Sequence, residues 1–255
     1  GANLPYFRSN GSMERRLTSW FSPALQKEMP ISVYGHYGFA LLLVPTAAAD
    51  YLEYERFQLI DSISPQIEGG QVKVFSIDSI NRESWMNDHM DPRHKSIRHQ
   101  QWNDYVFQEV VPFIRTHTSQ ETPIIVCGAS FGALHSMNIF LKRPDLFQGV
   151  IAMSGVYDLT EYTKSYFDDD VYFNSPLHYM ANLTDHSILE KIRESRHIHL
   201  LSGRGAYEDP GAAGRFARLL YDKGIHYELD LWGPEWPHDW NTWRHMLPQY
   251  LSSRF

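Results

Sequence analysis

The sequence has a single cysteine, Cys127, among its 255 residues, so no disulfide can form within the chain. Such scarcity is typical of a reducing compartment and predicts a cytoplasmic protein. Positively charged residues are also few: the chain has 23 lysines and arginines and 30 aspartates and glutamates, which gives a net charge of -7. This balance argues against nucleic acid or an anionic membrane as a partner. No apolar run approaches membrane-spanning length, and the first residues lack the pattern of a signal peptide.

What the chain does have is enough apolar sequence for one large core. Hydrophobic residues make up 43% of it and charged residues 21%, which describes an ordinary globular protein. The tripeptide at residues 11–13, Gly-Ser-Met, is typical of a cloning junction. We therefore interpret residues 1–12 as a cloning remnant or a flexible N-terminus, and residues 13–255 as a single domain.

Apolar runs and helical periods alternate along the chain and predict its secondary structure. Two short antiparallel strands come first, and the continuous runs that follow predict six more: 17–21, 29–34, 39–44, 72–77, 124–127, 149–155, 197–203 and 226–232. Helices are predicted between them, at 51–63, 96–116, 131–141, 211–223 and 242–251. Residues 159–190 have weak periodicity and suggest a small lid-like insertion. The alternation predicts an α/β fold, with a mostly parallel central sheet and helices on both of its faces.

One motif stands where a predicted strand meets a predicted helix. A β-branched run ends in Gly128-Ala129-Ser130-Phe131-Gly132, the Gly-x-Ser-x-Gly pattern of a nucleophile elbow. The glycines keep such a tight turn free of clashes, and the turn presents the Ser130 hydroxyl at the end of the sheet. Its place at a helix N-terminus favours developing negative charge there. The alternative is an ordinary strand-to-helix turn with a capping serine.

A serine nucleophile needs a histidine base and an acid that orients the base, and in this fold they follow in the order serine, acid, histidine. His238 is the histidine that follows the last predicted strand. The acid should follow the preceding strand, where Glu208 and Asp209 are adjacent candidates. Glu208 is the choice, because Asp209 before a proline has the character of a helix cap. Asp158 is a third, weaker candidate.

The tetrahedral intermediate needs two donors for its oxyanion. The backbone N–H of Phe131 is one by its position after the nucleophile, and the other should come from the loop after residue 44, through Ala47 or Ala48. Three aromatic residues near the strand ends are candidates for the substrate pocket, and a role as core or rim aromatics explains them equally well: Trp85, Tyr157 and Trp236.

Two clusters could suggest metal ions, but neither has the pattern of a known site. The first is the group His89, His94 and His99 with Asp88 and Asp91, whose spacing matches no closed zinc pattern. The second is the run of three aspartates at 168–170, whose consecutive side chains do not converge as those of a calcium loop do. We expect neither a metal nor a cofactor.

Several stretches resemble the putative-esterase family of α/β-hydrolases, which includes S-formylglutathione hydrolases of the esterase D type, enterochelin esterases and mycolyltransferases. The resemblance lies in the elbow and its helix, in Arg-Pro-Asp-Leu-Phe at 143–147 leading into Ser-Gly at 154–155, and in three further stretches: 84–85, 173–176 and 232–240. It covers most of the chain from Met13 onward and is closest to a bacterial esterase-like subgroup.

The resemblance implies an α/β-hydrolase fold and a carboxylesterase of EC 3.1.1 type, in which Ser130 and His238 act with Glu208 or Asp209. Two departures from the family pattern matter. The usual His-Gly loop is replaced by Pro-Thr-Ala at 45–47, and no single aspartate follows closely after a glycine in the acid region. The expected substrate is a small-molecule ester. The alternatives are an acyltransferase with the same residues and a non-catalytic binding module.

Overall fold

The computed structural model describes residues 13–255, so the interpretation of residues 1–12 as a cloning remnant or flexible N-terminus lies outside the described residues. The strands are β1 (Arg15–Ser22), β2 (Lys27–Tyr34), β3 (Phe39–Val44), β4 (Val72–Ile77), β5 (Ile124–Ala129), β6 (Gly149–Met153), β7 (His197–Ser202) and β8 (Glu228–Leu231). They form one sheet in the order β1-β2-β4-β3-β5-β6-β7-β8. The pairs β1–β2 and β2–β4 are antiparallel, and the rest are parallel. The predicted mostly parallel sheet is confirmed.

Helices connect these strands on both sides of the sheet. They are α1 (Glu53–Arg56), α2 (Leu59–Ser62), α3 (Ser64–Glu68), α4 (Pro92–Tyr105), α5 (Val111–His117), α6 (Phe131–Lys142), α7 (Thr160–Thr163), α8 (Asp169–Phe173), α9 (Pro176–Asn182), α10 (His186–Arg193), α11 (Pro210–Asp222) and α12 (Trp240–Arg254). A π-helical turn, Val106–Val110, joins α4 to α5, and a short 3-10 turn covers Asn81–Glu83. Within residues 13–255, no helix has both the length and the apolar character to cross a bilayer.

Two apolar cores cover the two faces of the sheet. Strand β3 shows this directly, because Leu42 packs into one core and Leu41 into the other, and both are fully buried. The first core includes side chains from α4, α6 and α11, and the second includes side chains from α1–α3 and α12. A continuous apolar run is what a strand covered on both faces requires, which explains why the sequence identified β3.

The helices differ from the prediction in two places. The single helix predicted over 51–63 is divided, because α1 ends at Arg56 and Gln58 takes a left-handed φ of 67° before α2. The helix predicted over 96–116 begins earlier, at Pro92, where Asp91 caps it by accepting from the backbone N–H of Arg93. The lid-like insertion at 159–190 consists of four short helices, α7 to α10.

Candidate active site

Ser130 lies in the sharp turn between β5 and α6. Its φ of 58° is in the left-handed region, which costs a non-glycine residue free energy and is often found at functional sites. A Cβ on Gly132 would lie 2.4 Å from the Val44 carbonyl oxygen, and one on Gly128 would lie 2.4 Å from the Gly132 carbonyl oxygen. Both positions therefore require glycine, because the atoms in the way are rigid backbone. The fold builds the elbow that the motif predicts.

His238 lies in the loop between β8 and α12 and reaches the elbow. Its backbone N–H donates to the Ala206 carbonyl (2.8 Å), and its ring packs edge-on against Trp243 at 5.2 Å between centroids. Its Nε2 lies 2.9 Å from Ser130 Oγ, a hydrogen-bonding distance. The imidazole is thus held from two sides while about a quarter of its side chain stays exposed (26%). A base in this position can take the hydroxyl proton of Ser130.

Glu208 is the carboxylate that faces the other nitrogen of this ring. Its Oε1 lies 3.3 Å from His238 Nδ1, and its side chain is fully buried. The hydroxyls of Ser154 and Ser202 each donate to the carboxylate at 2.8 Å, one to each oxygen. Trp243 Nε1 in turn donates to Ser154 Oγ at 2.9 Å. The carboxylate is therefore held by two hydroxyls from different segments of the chain, and one of these, Ser154, is itself held by Trp243.

Two glycines let the loop of Glu208 lie directly against the loop of His238. A Cβ on Gly203 would be 2.1 Å from the Trp236 carbonyl oxygen, and one on Gly205 would be 2.7 Å from the same atom. The Gly205 N–H donates to this carbonyl at 2.9 Å. The close approach of the two backbones sets the separation between the acid and the base.

The other acid candidates lie elsewhere. Asp209 is the N-cap of α11 and accepts from the backbone N–H of Ala212 at 3.2 Å, and half of its side chain is exposed. Asp158 accepts from the backbone N–H of Thr160 at 2.9 Å and from its hydroxyl at 2.5 Å. The structure thus brings Ser130, His238 and Glu208 together, whereas both aspartates are engaged in local turns.

The predicted oxyanion donors belong to the elbow itself and to the loop after β3. Phe131 is the first residue of α6, where the N–H groups of the first turn have no helical partner. In the loop after β3, Ala47 has a φ of 40°, and its carbonyl accepts from Asn81 Nδ2 at 2.7 Å. The neighbouring Thr46 N–H donates to the buried Glu53 carboxylate at 2.8 Å, and burial raises the pKa of that carboxyl. The loop is held in place through both contacts.

The three aromatic pocket candidates occupy different environments. Trp85 is buried (3% exposed) and donates from Nε1 to His99 Nδ1 at 3.0 Å. Tyr157 is buried and stacks on Phe216 at 4.7 Å between ring centroids. Trp236 is partly exposed in the His238 loop. Trp85 thus packs in the same small cluster as Phe131, Tyr157 packs in the first core, and Trp236 borders the loop of Glu208.

Sequence reasoning missed Tyr162, which lies in the lid-like insertion. Its ring is parallel to that of Phe131, 3.8 Å away between centroids and tilted by only 2°. Its hydroxyl interacts with the Ser130 side chain, while burial raises the pKa of this tyrosine to about 12. The weak periodicity of this stretch gave no signal that one of its side chains reaches the elbow.

Several residues of the two suggested metal clusters have other partners. His99 accepts the bond from Trp85, Asp88 pairs with Lys164, and Asp168 accepts from Arg93, Ser96 and Tyr166. In the part of the chain that the structure describes, no three histidine, cysteine, aspartate or glutamate side chains are grouped as they would be around a metal ion.

Comparison with known proteins supplies a family and a fold. The sequence profile of the family described as Putative esterase matches residues 55–254. No curated protein sequence matches the chain.

Among solved structures, a ferulic acid esterase is similar with a TM-score of 0.70 and 15% identity, over 94% of this chain and 97% of that one. The S-formylglutathione hydrolase FrmB of Staphylococcus aureus gives 0.67 and 15% identity, over 94% and 98% of the two chains. MPT51 (FbpC1) of Mycobacterium tuberculosis gives 0.67 and 14% identity, over 93% and 97%. The chain therefore has the α/β-hydrolase fold of these proteins.

Proposed function

The chain belongs to the putative-esterase family, and we propose that it hydrolyses small-molecule carboxylic esters through an acyl-enzyme formed on Ser130. The observation that carries this proposal is the 2.9 Å contact between Ser130 Oγ and His238 Nε2, with Glu208 Oε1 3.3 Å from the opposite ring nitrogen. Ser130, the acid Glu208 and the base His238 then follow one another along the chain in the order that the fold requires. Asp209 is left with the role of a helix cap.

In the first half of the reaction, Ser130 Oγ attacks the ester carbonyl carbon as His238 takes the hydroxyl proton. The charge that develops on the carbonyl oxygen is stabilised by the Phe131 N–H at the start of α6 and by an N–H of the loop at 46–48, for which Ala47 and Ala48 are the candidates. The imidazolium of His238 then gives its proton to the leaving alcohol, and the acyl group stays on Ser130. Water, activated by His238, releases the acid in the second half.

Glu208 holds the base in the productive state. A carboxylate that accepts from Nδ1–H leaves Nε2 unprotonated toward Ser130, and it stabilises the imidazolium once the proton has moved. The bonds from Ser154 and Ser202 compensate for the burial of this charge, which would otherwise be costly. The slightly long 3.3 Å separation is typical of a catalytic pair before substrate binds.

The test is the variant Ser130→Ala, assayed with p-nitrophenyl acetate and with a fluorophosphonate probe. We expect turnover to fall to background and the probe adduct, mapped by peptide mass, to be lost, with an unchanged circular dichroism spectrum. The matched control Ser253→Ala alters an exposed serine of α12 and should leave both signals unchanged. Undiminished hydrolysis by Ser130→Ala would refute the assignment.

We also propose that residues 13–255 act as a single domain in the cytoplasm, with neither nucleic acid nor membrane as a partner. Support comes from the net charge of -7 and from the buried thiol of Cys127, which forms no disulfide. Both cores cover one continuous sheet. We expect the protein to unfold in one cooperative transition and not to sediment with anionic vesicles. Two transitions, or co-sedimentation with the vesicles, would contradict the proposal.

A further inference from the structure

Tyr162 is the lid residue whose position is tied most directly to the elbow. It belongs to α7 and packs into a small apolar cluster with Phe131 and Leu134, apart from the two main cores. Its ring lies flat on Phe131 at 3.8 Å, and Phe131 in turn stacks on His135 at 4.4 Å. Because His135 is buried in α6, this three-ring stack fixes where the Tyr162 hydroxyl lies.

That hydroxyl interacts with the Ser130 side chain. Ser130 Oγ thus has two polar neighbours, the base His238 at 2.9 Å and the phenol of Tyr162. Burial, helped by the nearby charge of Glu161, raises the pKa of Tyr162 to about 12. The phenol therefore keeps its proton throughout the pH range of ester hydrolysis and stays a hydrogen-bond donor.

The loop after β3 offers few free N–H groups to an oxyanion, which leaves room for a side-chain donor. Its Thr46 N–H donates to Glu53 Oε1, and the Thr46 hydroxyl donates to Glu53 Oε2 at 2.7 Å. Both donors of Thr46 thus point at a buried carboxylate and not at a substrate. The loop contributes to an oxyanion only through the N–H of Ala47 or Ala48, so an additional donor would add to the charge stabilisation.

We propose that Tyr162 is a further catalytic residue, which donates its phenolic hydrogen to the oxyanion formed when Ser130 attacks the ester. This inference rests on the proposed function. Of the atoms that join Ser130 Oγ in the tetrahedral intermediate, the leaving oxygen receives its proton from His238 and the acyl carbon accepts no hydrogen bond. The charged oxygen is the strongest acceptor left within reach of Tyr162.

The variant Tyr162→Phe removes the donor and keeps the ring on Phe131. Loss of one oxyanion donor lowers kcat by about 10²-fold or more in enzymes of this type, and we expect a fall of about 10²-fold here. KM should change by less than about threefold, since the bond forms in the transition state. The inhibition constant of a trifluoromethyl ketone, whose adduct carries the oxyanion, should rise by the same factor as kcat/KM falls.

Tyr166→Phe is the matched control, because Tyr166 packs on the same cluster but donates to Asp168 at 2.7 Å. Its kcat should stay within about twofold of the wild type. A Tyr162→Phe enzyme with unchanged kcat would overturn the inference, and so would a fall in kcat without the matching loss of ketone affinity. A wild-type protein that hydrolyses no ester and takes up no fluorophosphonate would instead remove the proposed function, and this inference with it.

Discussion

Replacing Glu208 by glutamine separates the two acid candidates while preserving the shape of the site. The glutamine side chain has the same length, but one of its two oxygens becomes an NH₂ group. In the wild-type protein both carboxylate oxygens accept from serine hydroxyls, and one of them also faces His238 Nδ1 at 3.3 Å. If the NH₂ group of Glu208→Gln faces His238, it will donate to Nδ1 and hold the ring in the tautomer that carries its proton on Nε2. That tautomer cannot accept the proton of Ser130.

The expected size of the effect follows from this tautomer change. The corresponding aspartate-to-asparagine change in a serine protease lowers kcat about 10⁴-fold although the geometry is kept. Here the longer 3.3 Å separation implies a weaker interaction with the acid, so we expect a loss of about 10³-fold to 10⁴-fold. At 1.36 kcal/mol for each factor of ten, this corresponds to about 4–5.5 kcal/mol of transition-state stabilisation.

The assay is kcat and KM for p-nitrophenyl acetate at pH 7.5, with the rate of fluorophosphonate labelling as a second readout. Asp209→Asn is the control, because asparagine caps a helix as well as aspartate does. It should leave kcat within about threefold and the midpoint of urea unfolding unchanged. The reasoning would be refuted if Asp209→Asn lost more activity than Glu208→Gln, since the acid would then be the residue that the structure places at the cap.

Two further variants test polar groups that the fold buries, the hydroxyl of Tyr54 and the carboxyl of Asp78. Tyr54→Phe removes a buried hydroxyl that donates to the Val44 carbonyl (2.6 Å) and accepts from the Ala129 N–H (3.0 Å). The free energy of unfolding, measured with urea, should fall by about 2–4 kcal/mol. A fall below about 0.5 kcal/mol would contradict this. Burial raises the pKa of Asp78 from 3.8 to about 6, so the folded state keeps this proton to a higher pH than the unfolded state does, and the stability that the neutral carboxyl contributes is lost as the pH rises from about 3.8 to about 6. The stability of Asp78→Asn relative to wild type should therefore increase by up to about 3 kcal/mol from pH 4 to pH 7, and a constant difference would count against it.

The central strands β3 to β6 were predictable because each one is a short apolar run that the sheet buries on both faces, whereas the edge strand β1 is mostly exposed. The run at 39–44 coincides with β3, and the run at 72–77 coincides with β4. The prediction of one continuous helix over 51–63 was wrong, because the helix ends where the chain makes a contact with a residue distant in sequence. Phe57 stacks on Trp240 of α12 at 4.7 Å, and the chain turns there through the left-handed Gln58. No local pattern contains that contact.

Ser130 and His238 were accessible from the sequence because Ser130 directly follows β5 and His238 lies in the loop after β8, and the topology alone brings these strand ends together. The acid was harder, since Glu208 and Asp209 are neighbours with similar chemistry. In the structure the two side chains point in different directions. The backbone turns just before them, at Tyr207, which has a φ of 64°. That turn accompanies a Glu208 side chain directed into the sheet edge, whereas Asp209 is left at the start of α11.

The length of the acid side chain follows from the same arrangement. Asp209 satisfies an N–H of the first turn of α11, a bond that a helix start needs. The side chain of residue 208 must then extend from the start of α11 to the imidazole of His238. A glutamate side chain can do so because it is one methylene longer than that of aspartate. Ser154, itself at a φ of 55°, donates to the carboxylate where it arrives. If Glu208 is the acid as proposed, the short loop after β7 explains why this residue is a glutamate, because adjacent residues then supply both the helix cap and the acid.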